Sequence, residues 1–392
     1  MTEIQEFFAT APKGMENLLA GELTSFDALD VAVRRGGVSF RGPMETAYRA
    51  CLWSRTANRI LFPVGRFSAP TPEKLYDRIR KISWDHHLRA NGTLAVDFFC
   101  SESRISHSQY GALKVKDAIV DQFREAYGER PSVDLKHPDL RVNVYLHRNQ
   151  AVLSLDLSGE SLHRRGYRRE GTATPLKENL AAAILMRAGW PETFRSGGAF
   201  LDPMCGSGTL PIEAALMAAD MAPGLLRDRF GFTAWRGHDR SLWERLRHEA
   251  EERRHKGLKN PVIIAGTDKD GEAMRTARAG ARHFGLETFI RFSKQDISRA
   301  GPPARAEDQK GLIVINPPYG KRLGEAKSLE ALYERLGRTL KKNFGGWRAA
   351  IFTGNPDLSR RIHLRAEKVY SLYNGPIKCA LLIFKIHERP ST

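Results

Sequence analysis

The stretch FLDPMCGSGTLPIEAA, residues 200–215, runs from a short apolar strand through a glycine turn into a helical pattern. Glycine has no Cβ, so Gly206 and Gly208 let backbone N–H groups and a helix N-terminus approach a ligand closely. Such a glycine pair alone is as typical of a purely structural turn as of a nucleotide site. The stretch therefore predicts a strand, a turn and a helix, with ligand binding left open.

Short β-branched runs alternate with helical patterns around this stretch, which is typical of a parallel sheet covered by helices. Strands are predicted at 198–202, 261–267, 289–294, 311–315, 347–354, 369–373 and 378–386, and helices at 175–188, 208–220, 240–255, 271–284 and 328–343. Asn374-Gly375 is a hairpin signal between the last two strands. An antiparallel strand is therefore expected to close a mostly parallel sheet.

Acidic residues follow the second and third of these strands. Asp268, in GTDKD, occupies the position where a carboxylate accepts the hydroxyl protons of a ribose. Asp296, in SKQDIS, can accept from an adenine amino group. Together with the glycine turn, these residues place three sites at three successive strand ends, where α/β sheets bind ligands.

The chain has 392 residues, with 62 Lys and Arg against 45 Asp and Glu, and a formal net charge of +17. This excess predicts a polyanionic partner, although a solvated basic surface is the alternative. No apolar run is long enough to span a membrane and the first residues lack a signal-peptide pattern, so a cytoplasmic protein is expected. The four cysteines are far apart, so no disulfide framework and no metal site is predicted.

The first 157 residues mix weaker strands and helices, as in an α+β module. Three domains are predicted, at 1–65, 66–157 and 158–392. The segment 160–175 joins the last two and carries arginines around Tyr167, namely Arg164, Arg165, Arg168 and Arg169. This cluster predicts a clamp for phosphate groups, and a solvated hinge is the other interpretation.

The motifs DPMCGSGT, GTDKD, KQD and NPPYG, in that order, resemble the class I S-adenosylmethionine-dependent methyltransferases that modify exocyclic amino groups of bases. With FFATAPKGMENLLAGEL and GYRREGTATPLKENLAAAIL, nearly the whole chain resembles the bacterial guanine-N2 methyltransferases of large-subunit ribosomal RNA. The resemblance implies a Rossmann-like domain with a seven-stranded sheet, preceded by a ferredoxin-like segment and a THUMP RNA-binding domain. Some relatives carry a second methyltransferase domain; because this chain ends at Thr392, none is expected here.

The same resemblance implies S-adenosylmethionine as the cofactor. Thr174 and Pro175 would lie beside its methionine end. The other cofactor-binding residues it implies are Asp202, Pro203, Gly206, Gly208, Thr209, Asp268 and Asp296.

INPPYG, residues 315–320, ends a run of aliphatic residues, and Asn-Pro-Pro-Tyr arises by chance in such a chain about once in a thousand. A base amino nitrogen is a poor nucleophile because its lone pair is delocalised into the ring. The side-chain oxygen of Asn316 and the carbonyl of Pro317 can accept hydrogen bonds from the N–H groups of this amine. These bonds stabilise the positive charge that develops on its nitrogen. Pro317 and Pro318 restrict the turn, and Tyr319 can stack on a displaced base.

The leading hypothesis is methylation of guanine N2 in 23S ribosomal RNA, either free or in a ribosome assembly intermediate. Transfer RNA guanine is a close alternative. DNA adenine-N6 methylation and a non-catalytic RNA-binding assembly factor are less favoured. The sequence leaves open the nucleotide, the number of methyl groups transferred and the oligomeric state.

Overall fold

The computed structural model describes residues 3–167, 176–260, 262–304, 306, 309–320 and 326–388. The chain divides into two compact units. The first comprises Met1–Ala11, Leu19–Leu162 and Arg227–His248, and the second comprises Pro12–Leu18, His163–Leu226 and Glu249–Thr392.

The N-terminal part of the chain is an eight-stranded sheet with helices. Its strands are β1 (Gln5–Thr10), β2 (Leu29–Arg34), β3 (Gly37–Gly42), β4 (Arg59–Ser68), β5 (Thr93–Ser101), β6 (Ser132–Val133), β7 (Leu140–His147) and β8 (Gln150–Asp156). Its helices are α1 (Glu16–Ser25), α2 (Met44–Trp53), α3 (Pro72–Ile79) and α4 (Ser108–Tyr127). The sheet order is β2-β3-β1-β4-β8-β7-β5-β6. The predicted boundary at residue 65 falls inside β4, which pairs with both β1 and β8.

Residues Arg227–His248 belong to the first unit although the sequence assigned them to the domain at 158–392. Phe232 stacks on Tyr48 with ring centroids 4.1 Å apart, and Trp243 packs edge-on against Phe232 at 5.0 Å. The Tyr48 hydroxyl also forms a 3.0 Å hydrogen bond with Nδ1 of His238. This aromatic packing places the segment with the first unit. The predicted domain boundaries stay predictions.

The later part of the chain alternates helices and strands as predicted. They are α5 (Glu178–Ala188), α6 (Trp190–Arg195), β9 (Ala199–Asp202), α7 (Thr209–Ala218), α8 (Arg240–Gly257), β10 (Ile264–Asp268), α9 (Gly271–His283), β11 (Ile290–Lys294), β12 (Gly311–Ile315), α10 (Ala326–Asn343), β13 (Arg348–Thr353), α11 (Pro356–Arg360), β14 (Lys368–Asn374) and β15 (Ile377–Lys385). The short helices α6 and α11 were not predicted.

The second unit contains a seven-stranded sheet of order β11-β10-β9-β12-β13-β15-β14. Strands β9 to β13 are parallel, and β15 is antiparallel to both β13 and β14. The antiparallel last strand is confirmed, but it lies between two strands, and β14 forms the edge. Strands β10 and β12 lie on opposite sides of β9, so the order of the strands along the chain reverses at β9. At such a point the carboxyl ends of the strands form a crevice that binds ligands.

Candidate active site

The glycine turn after β9 is tied to the end of β10. The backbone N–H of Gly206 donates to Oδ2 of Asp268 at 3.0 Å, and that of Asp270 donates to Oδ1 at 3.0 Å. Gly206 and Gly208 have φ of +51° and +82°, which favour glycine. A Cβ on Gly208 would lie 2.8 Å from that of Ala277, whereas one on Gly206 would meet nothing within 4 Å. Gly208 therefore serves packing, and Gly206 leaves open space at the strand end.

Asp202 ends β9 and is buried, with 1% of its surface exposed. Its carboxylate accepts a 3.0 Å hydrogen bond from the backbone N–H of Met204. Burial, and then the negative charge of Asp268, raise the pKa of Asp202 well above its ordinary value. A positively charged group placed beside Asp202 would lower that pKa again.

We expect Asp202→Asn to raise the unfolding temperature at neutral pH, because asparagine keeps the acceptor for Met204 without a charge to desolvate. In the folded protein the pKa of Asp202 is raised above its unfolded value of about 3.9. The contribution of Asp202 to the free energy of unfolding is therefore greatest below that pH, and it is lost as the pH rises through the folded pKa. The difference between variant and wild type should therefore vanish below about pH 4.

Thermal unfolding measured between acidic and neutral pH checks this expectation. Asp357→Asn is the matched control, because the Asp357 side chain is 85% exposed. The same temperature difference at every pH would show that the charge of Asp202 is not what costs stability.

Asp296 follows β11 and begins the helical turn Ile297–Arg299. Its carboxylate accepts from the backbone N–H of Ser298 at 2.9 Å and from its hydroxyl at 2.7 Å. These bonds from Ser298 lower the pKa of Asp296, so the carboxylate is ionised at neutral pH. Two further predicted residues, Pro203 and Thr209, are buried on either side of the glycine turn.

Asn316 follows β12, the strand whose residues from Leu312 to Ile315 are completely buried. The side-chain oxygen of Asn316 is buried and accepts no hydrogen bond from any described residue. Pro317 is buried and Pro318 is exposed. A buried polar atom without a partner costs about 1–3 kcal/mol and is rare in native proteins. The end of β12 therefore presents an acceptor for which no described residue supplies a donor.

Tyr319 is half-buried and held from two sides. The side-chain amide of Asn374, at the end of β14, donates to its hydroxyl at 2.9 Å. A Cβ on Gly354 would come within 2.7 Å of Tyr319 Cε2, so the ring lies directly against the backbone after β13. Burial raises the pKa of the Tyr319 hydroxyl. The sequence missed this role of Asn374, since Asn-Gly there signals only a hairpin.

The arginine cluster is only partly described. Arg165 is 1% exposed, and its Nε lies 3.3 Å from Oε1 of the fully buried Glu213 in α7. The prediction of a phosphate contact is therefore wrong for Arg165, which forms a buried ion pair instead. Arg164 is exposed. The remaining predictions in this segment, Arg168, Arg169, Thr174 and Pro175, lie outside the described residues.

The ends of four adjacent parallel strands bring the predicted residues to one edge of the sheet. In spatial order these residues are Asp296, Asp268, Asp202 and Asn316. Neighbouring strands are about 4.8 Å apart, so the row extends over roughly 15 Å. Among the described residues, no cluster of His, Cys, Asp or Glu could hold a metal ion. Burial raises the pKa of the Cys205 thiol, which disfavours it as a nucleophile.

Comparison with known proteins identifies the family. Residues 165–383 match the model of the "RMKL-like, methyltransferase domain", residues 6–61 that of the "RlmL ferredoxin-like domain", and residues 69–156 that of the "THUMP domain". The chain belongs to the RMKL-like methyltransferase family. The predicted class I methyltransferase fold, ferredoxin-like segment and THUMP domain are thereby confirmed.

Individual relatives cover the same elements. "Ribosomal RNA large subunit methyltransferase K/L" of Syntrophotalea carbinolica is 53% identical over 384 residues, which are 98% of this chain and 54% of the relative. The chain thus spans about half the length of that relative. The structure of SMU.472 complexed with SAH superimposes with a TM-score of 0.87 at 32% identity and covers all of both chains. A predicted N6-adenine-specific DNA methylase from Listeria monocytogenes gives a TM-score of 0.85 at 29% identity, covering 98% of this chain and 97% of that one.

None of the described helices is both long and apolar enough to cross a membrane.

Proposed function

We propose that this chain is a cytoplasmic S-adenosylmethionine-dependent methyltransferase that modifies the exocyclic N2 of a guanine in 23S ribosomal RNA. The observation that carries the proposal is the buried oxygen of Asn316, which has no hydrogen-bond partner among the described residues and lies on the same sheet edge as the glycine turn and Asp268. The name of the Syntrophotalea carbinolica relative supports ribosomal RNA as the substrate class.

The residues at the sheet edge fit the cofactor. Each carboxylate oxygen of Asp268 accepts one backbone N–H, which leaves acceptor capacity for the two ribose hydroxyls. Gly206 leaves open space beside this carboxylate, and Asp296 offers an ionised acceptor for an amino group on adenine. Asp202 would lie near the positively charged part of the molecule. When bound, S-adenosylmethionine supplies an electrophilic methyl group on its sulfonium.

Asn316 and Pro317 have the chemistry needed to hold the target amine. The Asn316 oxygen accepts one amino N–H, and the carbonyl of Pro317 can accept the other. Both interactions strengthen as the nitrogen becomes positively charged, so they favour the transition state over the ground state. A strong general base is not required. The half-buried ring of Tyr319, fixed by Asn374, offers a face on which the base can stack.

Three observations bear on the competing substrates. The THUMP match at 69–156 supports RNA over DNA, although the Listeria monocytogenes protein is described as a DNA methylase. Transfer RNA remains the second candidate, because a THUMP domain does not distinguish between the two RNAs. The presence of Asp268, Asn316 and Tyr319 together argues against an assembly factor without catalysis.

We expect Asn374→Ala to lower kcat/KM for RNA methylation by about 2- to 10-fold, the scale of one hydrogen bond. Tyr319→Phe removes the other partner of the same bond and should have a similar effect. The double variant should be no slower than the slower single variant, because both changes remove one interaction. The measurement is a double-mutant cycle on methylation kinetics, with cofactor affinity as the control. Additive effects would show that Asn374 does not act through Tyr319.

Nucleoside mass spectrometry of RNA from cells lacking the protein tests the proposed function. N2-methylguanosine should fall in large-subunit ribosomal RNA and return with the wild-type protein, but not with Asn316→Ala. A loss confined to transfer RNA would favour the second candidate. Unchanged N2-methylguanosine in every RNA would refute both.

A further inference from the structure

An open cavity of ≈ 600 Å³ lies beside Asp296 in the second unit. It is lined by Lys269, Lys294, Gln295, Asp296 and Arg299. Lys269 directly follows β10, and Lys294 ends β11, so the cavity lies at the carboxyl ends of two neighbouring strands. The backbone N–H of Gln295 donates to the carbonyl of Asp268 at 2.9 Å. The cavity therefore adjoins the crevice that we assign to the cofactor.

Three exposed cations line this cavity, and a fourth, Arg335, lies near Asp296. We call these four residues the basic rim: Lys269, Lys294, Arg299 and Arg335. The hydrogen bonds from Ser298 lower the pKa of Asp296 most, and the positive charges of Arg335, on α10, and Lys269 lower it further. Arg335 therefore lies close to Asp296. The rim therefore places four positive charges near Asp296, which is already bonded to Ser298, and Asp268 and Asp270 flank Lys269 in the chain.

Three other exposed cations of the same unit form ion pairs and serve as a comparison for the basic rim. Arg361 lies 2.7 Å from Glu330, Arg360 lies 3.6 Å from Asp357, and Lys310 lies 3.3 Å from Glu388. No residue of the rim forms an ion pair with any part of the chain that the structure describes. The four cations outnumber the three neighbouring acids Asp268, Asp270 and Asp296, so the rim keeps a net positive charge.

The proposed cofactor does not account for this excess. Adenosine, the part that Asp268 and Asp296 would bind, carries no anionic group. The one carboxylate of S-adenosylmethionine belongs to its methionine end, away from the adenine. A cluster of cations beside an uncharged nucleoside therefore indicates a second, anionic ligand next to the cofactor.

We propose that the basic rim binds backbone phosphates of the RNA substrate. This inference rests on the proposed function, because it takes RNA as the anion. Lysine and arginine contacts to phosphate position a strand without reading its sequence. Phosphates held at the ends of β10 and β11 would fix the strand relative to Asn316, at the end of β12 on the same sheet edge. The rim thus acts in substrate positioning and makes no contact with the reacting amine.

The test is RNA binding by the full chain with Lys269→Gln, Lys294→Gln and Arg299→Gln combined. The probe is a protein-free transcript of large-subunit ribosomal RNA, titrated at several salt concentrations. The slope of log affinity against log salt is negative, and each lost phosphate contact makes it shallower by about 0.7–0.9, so its magnitude should fall by about 2–3. Affinity for S-adenosylmethionine should change by less than about twofold, since the cofactor bonds remain.

The matched control combines Lys310→Gln, Arg360→Gln and Arg361→Gln, which remove the same net charge from ion-paired positions of the same unit. An equal salt slope in the two triple variants would overturn the inference, and so would a loss of cofactor affinity as large as the loss of RNA affinity. Failure of the proposed function looks different. The wild type could bind RNA with a salt slope that the rim variant reduces, and still methylate no guanine. That result would refute the proposed function, and the rim would still be an RNA-binding site.

Discussion

Asn316→Ala should lower the single-turnover rate of RNA methylation by about 10²–10³, the usual effect of losing one preorganised group that stabilises a transition state. The side-chain oxygen has no partner among the described residues, so its partner is expected to be the target amine. Its bond strengthens as charge develops on that amine. Affinities for RNA and cofactor should therefore stay near those of the wild type.

Two features make this variant a sharp test. Alanine removes a buried oxygen that no described residue pairs with, so Asn316→Ala should fold at least as stably as the wild type. Asn316→Asp keeps an acceptor and should be less damaging than alanine. The matched control is Asn343→Ala: Asn343 donates to the carbonyl of Ala300 at 2.6 Å, so its loss should affect stability without changing the rate. A normal single-turnover rate for Asn316→Ala would make the end of β12 a structural turn.

Asp268→Ala should weaken S-adenosylmethionine binding by about 2–3 kcal/mol, or roughly 30- to 150-fold, the scale of losing charge-assisted hydrogen bonds. The carboxylate also accepts from the backbone of Gly206 and Asp270, so part of the loss would come from a looser glycine turn. Asp268→Asn separates these contributions, because it retains one acceptor oxygen and removes the charge. Calorimetry on folded variants is the measurement.

Asp270→Ala is the control for that experiment. Asp270 caps α9 by accepting from the backbone N–H of Glu272 at 2.8 Å, so its loss should cost about 1 kcal/mol of stability and little cofactor affinity. If Asp268→Ala bound the cofactor as tightly as the wild type, Asp268 would not be a ribose contact.

The parts of the site that could be predicted are those with local signals. An apolar strand, an abrupt turn and a helix pattern follow one another within about ten residues around Asp202, Gly206 and Gly208. The acids Asp268 and Asp296 were recognised because each directly follows a predicted strand. Parallel strands end at one sheet edge, so the topology brings these local features together.

Features that depend on distant packing could not be predicted. Arg165 was read as a phosphate contact, because the sequence does not show that Glu213, 48 residues later, takes its guanidinium into a buried pair. The stacking of Phe232 on Tyr48, which joins residues 227–248 to the first unit, has no signal in the order of the chain. Asn374 lies 55 residues from Tyr319, whose hydroxyl it binds. In each case the partner is far away in sequence and has no fixed spacing.

The most direct measurement is methyl transfer by the purified protein to a protein-free 23S ribosomal RNA transcript, with the methyl group of S-adenosylmethionine isotopically labelled. Digestion to nucleosides and mass spectrometry then identify the labelled atom. We expect label in N2-methylguanosine with the wild type and almost none with Asn316→Ala over the same time. Label in N6-methyladenosine, or none in guanosine with the wild type, would contradict the proposed activity.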